Sequence, residues 1–252
     1  FNPGAPGLNK NRRVGQMSLT YTLIMFLAVA AGMLVSRRTQ SSLPLSAGQK
    51  FAIGLGAFCG AMLAAKLPFV LSDWHGMLDG TAWFSDGKTI LCGLVGGYFG
   101  VVATKWMLEI DVKTGDSFVV PVAVAVGIGR LACFSAGCCH GTATSLPWGV
   151  IFPIVDQRPR HPTQLYEAAF HLTAAVVLYW LLRHGTYRGQ LAKLYFIAYF
   201  VYRFATEFIR PEARLWLALT GYQWACLVLI VVFAWLWLRD ARALRGVGAA
   251  AV

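Results

Sequence analysis

Residues 118–137, FVVPVAVAVGIGRLACFSAG, form a run of twenty residues with one charged side chain, Arg130. About 20 apolar residues in a helix cross a hydrocarbon core of about 30 Å. A single segment in lipid satisfies its own backbone hydrogen bonds only as a helix. The run therefore predicts a transmembrane helix that carries an arginine within the membrane.

Similar runs recur along the chain, which is 57% hydrophobic and only 13% charged, about half the charged fraction of a soluble protein. We predict an all-α, polytopic membrane protein with seven transmembrane helices. This transmembrane domain covers residues 17–245, between an N-terminal tail (1–16) and a C-terminal tail (246–252). The predicted spans are residues 17–36, 51–71, 89–108, 118–137, 163–182, 191–209 and 222–238.

The net charge of +11 comes mainly from lysines and arginines that flank the apolar runs. In such positions basic residues set membrane topology and meet anionic headgroups, so the charge does not predict a nucleic-acid partner. Basic residues in the short loops are more frequent on the side that holds the C-terminus. We therefore expect the N-terminus outside and the C-terminus in the cytoplasm.

In that orientation, polar side chains from separate segments converge near the outer face of the membrane. Each charge within a bilayer costs about 2.5–3.5 kcal/mol on insertion scales, so a converging set predicts an interior site. Guanidinium groups suit phosphate because they are planar and permanently charged. The converging residues are Lys66, Arg130, Gln164, Tyr166, Glu167, Arg203 and Glu207.

A structural interpretation of the same charges stays open. Arg203 and Glu207 are one helical turn apart, so they can form a self-contained ion pair, with Arg210 extending to the membrane surface. Arg130 has no acidic partner within its own span. Backbone carbonyls or a distant acid such as Glu207 could satisfy it.

Cysteines and a histidine crowd the segment after Arg130. A zinc site is disfavoured because no second Cys/His pair stands at zinc-finger or zinc-ribbon spacing, and we predict no metal and no cofactor. A disulfide between Cys133 and Cys138 is possible at an oxidising outer face. Packing of small residues at a tight helix end is the favoured interpretation of Cys133, Cys138, Cys139 and His140.

Four motifs carry a resemblance to a known family: GRLACFSAGCCHG (129–141), GVIFP (149–153), RHPTQLYE (160–167) and YFVYRFATEFIR (199–210). In this order and at these separations, the chain from about Tyr21 onward resembles the prolipoprotein diacylglyceryl transferases. Those proteins are seven-helix enzymes of the bacterial inner membrane. The resemblance implies that a diacylglyceryl group passes from phosphatidylglycerol to the thiol of a lipoprotein precursor, with release of glycerol phosphate.

The resemblance and the converging charges together give a candidate site. Arg130 and Arg203 would neutralise the phosphodiester and the departing glycerol phosphate. Glu207 would orient Arg203, and His161 or Glu167 would help to deprotonate the acceptor. The predicted substrate-binding residues are Tyr21, Lys66, Cys133, Cys138, Gly141, Gln164 and Tyr166.

The chain departs from the family's pattern Gly-Arg-x-Gly-Asn-Phe-x-Asn-Gly-Glu and so resembles a divergent Gly-Cys-Cys variant. Ala132, Cys133, Ala136 and Cys138 stand where the family has Gly, Asn, Asn and Glu. Part of the site that would activate the acceptor thiol is thus replaced.

One alternative is a catalytically degenerate, phospholipid-binding subunit of a larger membrane complex. Another is a related transferase with a different acceptor, in which a cysteine takes part in the chemistry.

Overall fold

A computed structural model describes residues 10–72, 74–79 and 89–249 of the chain. The first nine and last three residues of the two predicted tails lie outside the described residues. Helices dominate, as predicted, and 3₁₀ helices occur at Glu207–Ile209 and Trp216–Ala218. The α-helices are α1 (Lys10–Thr39), α2 (Ala47–Ser72), α3 (Trp74–Asp79), α4 (Ile90–Met107), α5 (Gly115–Ser135), α6 (Thr163–His184), α7 (Leu191–Thr206) and α8 (Gly221–Ala249).

Six of the described helices are long and apolar enough to cross a membrane, namely α1, α2, α4, α5, α6 and α8. The predicted polytopic, all-α architecture is confirmed. The difference lies in the predicted span 191–209, because α7 is only 16 residues long and continues as the 3₁₀ turn. Pro211 explains this ending, since a residue before proline avoids helical geometry, and Arg210 is extended (φ −103°, ψ 148°).

The described part of the chain forms two compact units. The first comprises the residues before Ser42 and after Lys113. In it, α5 packs against both α1 and α6, and α7 packs against α8. Asp116, in the first turn of α5, accepts hydrogen bonds from the backbone N–H of Gly189 and, at 2.9 Å, of Leu191. This carboxylate therefore ties the start of α7 to the start of α5.

The second unit, Ser42–Lys113, is built on the contact between α2 and α4. Glycines let the two backbones approach closely, as the sequence CGLVGGYFG in α4 indicates. A Cβ placed on Gly96 would lie 2.3 Å from the carbonyl oxygen of Gly60, and one on Gly100 would lie 2.1 Å from that of Gly56. Neither position has room for a side chain.

The connection between α5 and α6 forms a small structured cap. Strands β1 (Val150–Ile151) and β2 (Pro159–Arg160) pair in antiparallel register. The backbone N–H of Thr142 donates to the carbonyl oxygen of Ile209 at 2.8 Å. This bond attaches the connection to the 3₁₀ turn that follows α7, and so brings the RHPTQLYE segment to the end of α7.

Candidate functional site

Glu167 is the centre of a buried ionic network. It lies in the second turn of α6 and is 1% exposed. Its Oε2 accepts hydrogen bonds from Nη2 of Arg130 and, at 2.9 Å, from Nη2 of Arg210. Its Oε1 accepts a 2.8 Å hydrogen bond from the hydroxyl of Tyr199. One carboxylate thus joins α5, α6, α7 and the extended residue after the 3₁₀ turn.

These contacts correct two expectations from the alternative in which the buried charges have only structural roles. Arg130 pairs with Glu167 rather than with Glu207, because the packing of α5 on α6 brings the first two side chains together. Arg210 does not extend to the membrane surface, since it is 9% exposed and its guanidinium binds Glu167. The extended backbone before Pro211 directs Arg210 away from the axis of α7 and back towards α6.

Arg203 and Glu207 form the ion pair that their spacing predicts. Nη2 of Arg203 lies 2.8 Å from Oε2 of Glu207. The hydroxyl of Thr220, just before α8, donates to Oε1 of Glu207 at 3.1 Å. The guanidinium of Arg203 also lies over the ring of Tyr222, 5.1 Å from its centroid. Because Tyr199 precedes Arg203 by one turn of α7, this pair borders the Glu167 network.

The network carries more positive than negative charge. Arg130, Arg203 and Arg210 contribute three cations, against the two carboxylates of Glu167 and Glu207, and all five residues are buried. Within the described residues, Nε of Arg130 and Nε of Arg210 are buried and have no hydrogen-bond acceptor. Buried N–H groups normally have an acceptor. An anionic ligand with several oxygens satisfies both the charge and the donors.

His171 and the tyrosines of α7 form a layer beneath Glu167, and none of them was among the predicted site residues. Nδ1 of His171 lies 2.8 Å from the hydroxyl of Tyr195, and its Nε2 lies 3.9 Å from Oε1 of Glu167. Spacing is the signal that identifies them. His171 follows Glu167 by four residues, and Tyr195, Tyr199 and Arg203 are separated by four residues each, so each set shares one helical face.

His161 and Tyr166 lie together at the entrance to α6. Nδ1 of His161 is 3.3 Å from the hydroxyl of Tyr166, which also accepts a 2.8 Å hydrogen bond from Nε1 of Trp148. His161 is partly exposed, whereas Glu167 is buried. Of the two residues predicted to deprotonate the acceptor, His161 is therefore the more accessible.

Gly141 and Gln164 hold the cysteine segment in place. Nε2 of Gln164 donates to the carbonyl oxygen of Cys138. The N–H of Gly141 donates to the carbonyl oxygen of His161 at 2.8 Å, and a Cβ on Gly141 would lie 2.7 Å from the carbonyl oxygen of Ile209. Gly141 thus permits the contact between three chain segments.

Two predicted substrate-binding residues lie on other helices. Tyr21 belongs to α1, which packs against α5, and its side chain is 37% exposed. Lys66 belongs to α2, in the second compact unit. The contacts of the Glu167 network thus bring together the predicted residues of α5, α6 and α7.

The three cysteines at the end of α5 also come together, and two of them, Cys133 and Cys138, were predicted to bind substrate. The Sγ atoms of Cys133, Cys138 and Cys139 lie within 4.8 Å of one another. Nη1 of Arg130 lies 3.7 Å from Sγ of Cys133, which places the cluster beside the ionic network. All six cysteines are free thiols, so the disulfide considered between Cys133 and Cys138 is not formed in this structure.

The connection between α5 and α6 carries its own ion pair. Nη2 of Arg160 lies 2.6 Å from Oδ2 of Asp156, and Nη1 of Arg160 donates to the carbonyl oxygen of Gly141 at 3.3 Å. The hydrogen bond from Arg160 lowers the pKa of Asp156 below its usual value of 3.8. Arg160 therefore links the β-ladder to the segment that follows the cysteines.

Comparison with known proteins agrees with the four motifs. The sequence profile of the family described as prolipoprotein diacylglyceryl transferase matches residues 13–239. Relatives from several bacteria carry the name phosphatidylglycerol–prolipoprotein diacylglyceryl transferase. The relative from Clostridium tetani is 31% identical over 202 residues, covering 77% of this chain and 81% of its own. The relative from Nitratidesulfovibrio vulgaris is 34% identical over 212 residues (78% and 76%), and that from Methylobacillus flagellatus is 35% identical over 159 residues (58% and 60%).

Proposed function

The chain belongs to the prolipoprotein diacylglyceryl transferase family, and we propose that it transfers a diacylglyceryl group from phosphatidylglycerol to the cysteine thiol of a lipoprotein precursor. The family inferred from the four motifs is confirmed. The protein is a multi-pass bacterial membrane protein. The alternative of a catalytically degenerate subunit is not favoured, because the relatives that cover most of the chain are named as transferases.

The observation that carries the proposal is the buried excess of guanidinium groups. Three arginines face two carboxylates, and the Nε donors of Arg130 and Arg210 have no acceptor within the described residues. A phosphodiester supplies one negative charge and several acceptor oxygens. Guanidinium groups bind such an anion through paired N–H donors. The phosphate of phosphatidylglycerol therefore suits this network.

The same donors support the chemistry of transfer. In the reaction the acceptor sulfur forms a bond to the carbon of the diacylglyceryl group that carries the phosphate oxygen. The carbon–oxygen bond breaks, and its electron pair stays with glycerol phosphate. Arg130, Arg203 and Arg210 stabilise this growing negative charge, because they are held in place before the reaction.

The carboxylates act by positioning the arginines. Glu167 is buried and already accepts hydrogen bonds from Arg130, Arg210 and the hydroxyl of Tyr199, so its carboxylate serves to hold these groups. Glu207 holds Arg203 in the same way. We therefore assign deprotonation of the acceptor to His161 rather than to Glu167. Tyr21, Gln164 and Tyr166 are proposed substrate-binding residues.

The orientation predicted from the basic residues belongs to the same proposal. With α7 and its 3₁₀ turn as the seventh crossing, the N-terminus lies outside, the C-terminus lies in the cytoplasm and the RHPTQLYE segment lies at the outer face of the inner membrane. A lipoprotein precursor then meets the site from that face. The proposed partner is therefore the lipoprotein precursor rather than the subunits of a larger membrane complex.

The test is a transfer assay with the purified protein. Phosphatidylglycerol labelled in its acyl chains is mixed with a precursor peptide that contains one cysteine, and the peptide is analysed by mass spectrometry. We expect a peptide heavier by one diacylglyceryl group, and no product when serine replaces the cysteine. An unmodified cysteine peptide, with protein that remains folded in detergent, would contradict the proposal.

A further inference from the structure

The end of α5 gathers three thiols by a helix-capping motif. Gly137, in the left-handed region at φ +69°, follows the helix. The N–H of Cys138 donates to the carbonyl oxygen of Cys133 at 3.2 Å, and that of Gly137 donates to the carbonyl oxygen of Phe134 at 3.0 Å. These bonds define a Schellman motif. In this motif the side chains at the positions of Cys138 and Cys133 normally meet in an apolar contact.

Cys139 joins this pair through a second left-handed residue. Its own φ is +59°, a region that residues other than glycine seldom adopt. The hydroxyl of Thr163 donates to the carbonyl oxygen of Cys139 at 2.6 Å, and Gln164 binds the carbonyl oxygen of Cys138. The first turn of α6 therefore holds the backbone of both cysteines, so that the three Sγ atoms lie within 4.8 Å.

A positive charge lies beside this cluster. Arg130 places a guanidinium nitrogen 3.7 Å from Sγ of Cys133. Before phospholipid binds, the neighbouring network has one more arginine than carboxylates, so an additional anion beside it is stabilised. Cys138 and Cys139 are exposed, so a metal ion and a further ligand can reach their sulfur atoms.

We propose that Cys133, Cys138 and Cys139 bind one Zn²⁺ ion, whose fourth coordination position receives the thiol of the acceptor peptide. Zinc binds thiolates at about 2.3 Å in a tetrahedron, which places ligand sulfurs about 3.8 Å apart. The sulfur atoms here need to approach by about 1 Å at most to reach that spacing. Catalytic zinc sites have three protein ligands and an open fourth position.

This inference rests on the proposed transferase function. It supplies the activation of the acceptor thiol, for which the family's polar residues are replaced by alanine and cysteine in this chain. A thiol that coordinates zinc loses its proton. His161 or water takes that proton, and the zinc-bound sulfur then attacks the diacylglyceryl carbon. The new bond joins sulfur and carbon, while the carbon–oxygen electron pair leaves with glycerol phosphate. The zinc ion is neither oxidised nor reduced.

Sequence spacing did not predict this site, because zinc fingers and ribbons bring together two separated pairs of ligands. Here all three ligands come from seven consecutive residues, and the Schellman motif reverses the chain between them. If the three thiols only pack against one another, as the sequence favoured, none of them binds a metal. Formation of a disulfide would remove two of the three ligands.

The test replaces zinc with Co²⁺ in the full-length protein purified in detergent. Cobalt bound by thiolates absorbs in the near ultraviolet and visible ranges. We expect one Co²⁺ per chain in the parent protein and in Cys59→Ser, a control variant that removes an exposed cysteine on α2. The variants Cys133→Ser, Cys138→Ser and Cys139→Ser are expected to lose this absorption while they still elute as folded protein.

The acceptor role is tested by adding the cysteine peptide, without phospholipid, to the cobalt-loaded protein. We expect the absorption to shift when a fourth sulfur coordinates, and no shift with the serine peptide. Cobalt binding that is unchanged in all three variants would overturn the metal site. Cobalt binding without a shift would overturn the acceptor role.

These outcomes are separable from failure of the proposed function. Full transfer activity in protein from which all metal has been removed would leave the transferase standing and overturn the zinc step. If the cobalt absorption shifts on addition of the peptide, but the zinc-loaded protein transfers no diacylglyceryl group, the metal site stands and the transferase function is excluded.

Discussion

At the scale of single residues, Glu167 joins the parts of the site. Its carboxylate receives hydrogen bonds from two arginines and one tyrosine, each from a different segment. Two guanidinium groups are buried beside it, so their position depends on its charge. Replacement of one partner in a buried ion pair leaves an uncompensated charge.

Replacement of Glu167 by Gln is therefore expected to destabilise the protein by about 3–5 kcal/mol, the usual cost of breaking a buried ion pair. Thermal unfolding in detergent measures the effect as a lower Tm. Glu212→Gln is the control, because this acid is exposed. Equal Tm values for the Glu167→Gln variant and the parent would show that the network does not depend on this carboxylate.

Arg130→Lys retains the charge but removes the forked pair of donors. We expect it to lower the rate of transfer by about 10²–10³-fold, the usual effect of removing one donor that stabilises transition-state charge. Arg203→Lys is expected to act in the same direction. Arg239→Lys serves as the control, since Arg239 is 57% exposed. Parent-like rates for both Arg130→Lys and Arg203→Lys would argue against geometric recognition of the phosphate.

At the scale of elements, the site depends on where α7 begins and ends. Asp116 binds two backbone N–H groups at its start, and Pro211 limits its extent. On one face of α7, Tyr195 and Tyr199 contact His171 and Glu167 of α6. One turn further on, Arg203 pairs with Glu207.

Asp116→Ala is expected to destabilise α7 by about 2 kcal/mol, because two backbone donors lose a charged acceptor. Hydrogen exchange at Leu191 and the following residues should become faster. Asp116→Asn retains an acceptor oxygen and is expected to have a smaller effect. Unchanged exchange in the Asp116→Ala variant would contradict the role given to this contact.

The connection between α5 and α6 has a pH-dependent element. The pKa of Asp156 is lowered by the hydrogen bond from Arg160, so this contact stabilises the loop above pH 3.8 and is lost as the pH falls through the lowered pKa. Hydrogen exchange of residues 142–161, corrected for intrinsic rates, should rise in that acidic range. The variant Asp156→Asn should show the faster exchange already at neutral pH. A loop with the same protection in both proteins would exclude a contribution from this ion pair.

Local spacing predicted some of these contacts and not others. The pair Arg203–Glu207 follows from a four-residue step within one helix and was predicted. The pairs of Glu167 with Arg130 and Arg210 depend on how α5, α6 and the residue before Pro211 meet, and spacing within a segment carries no such information. Packing of Cys133, Cys138 and Cys139 at the helix end was predicted, but the approach of their Sγ atoms depends on two left-handed residues that spacing does not reveal.

At the scale of the whole molecule, composition alone was sufficient for the fold class. Apolar runs of about twenty residues predicted the membrane helices, and the described helices match them closely, apart from the short α7. The apolar runs do not predict the orientation in the membrane, which depends instead on the basic residues in the loops.

A reporter fused after Val252 tests that orientation. We expect a cytoplasmic reporter to be active and a periplasmic one to be inactive, because the loops on the C-terminal side carry more basic residues. Active periplasmic alkaline phosphatase at this position would invert the orientation and place the RHPTQLYE segment in the cytoplasm.

In the proposed reaction, the arginine network binds the phosphate of phosphatidylglycerol and the acceptor thiol displaces glycerol phosphate. The most direct measurement is the product balance in the purified system, with glycerol phosphate and lipidated peptide quantified over time. We predict that one glycerol phosphate is released for each cysteine modified, and that release stops with the serine peptide. Glycerol phosphate released at the same rate without an acceptor thiol, or no release with the cysteine peptide, would contradict the account.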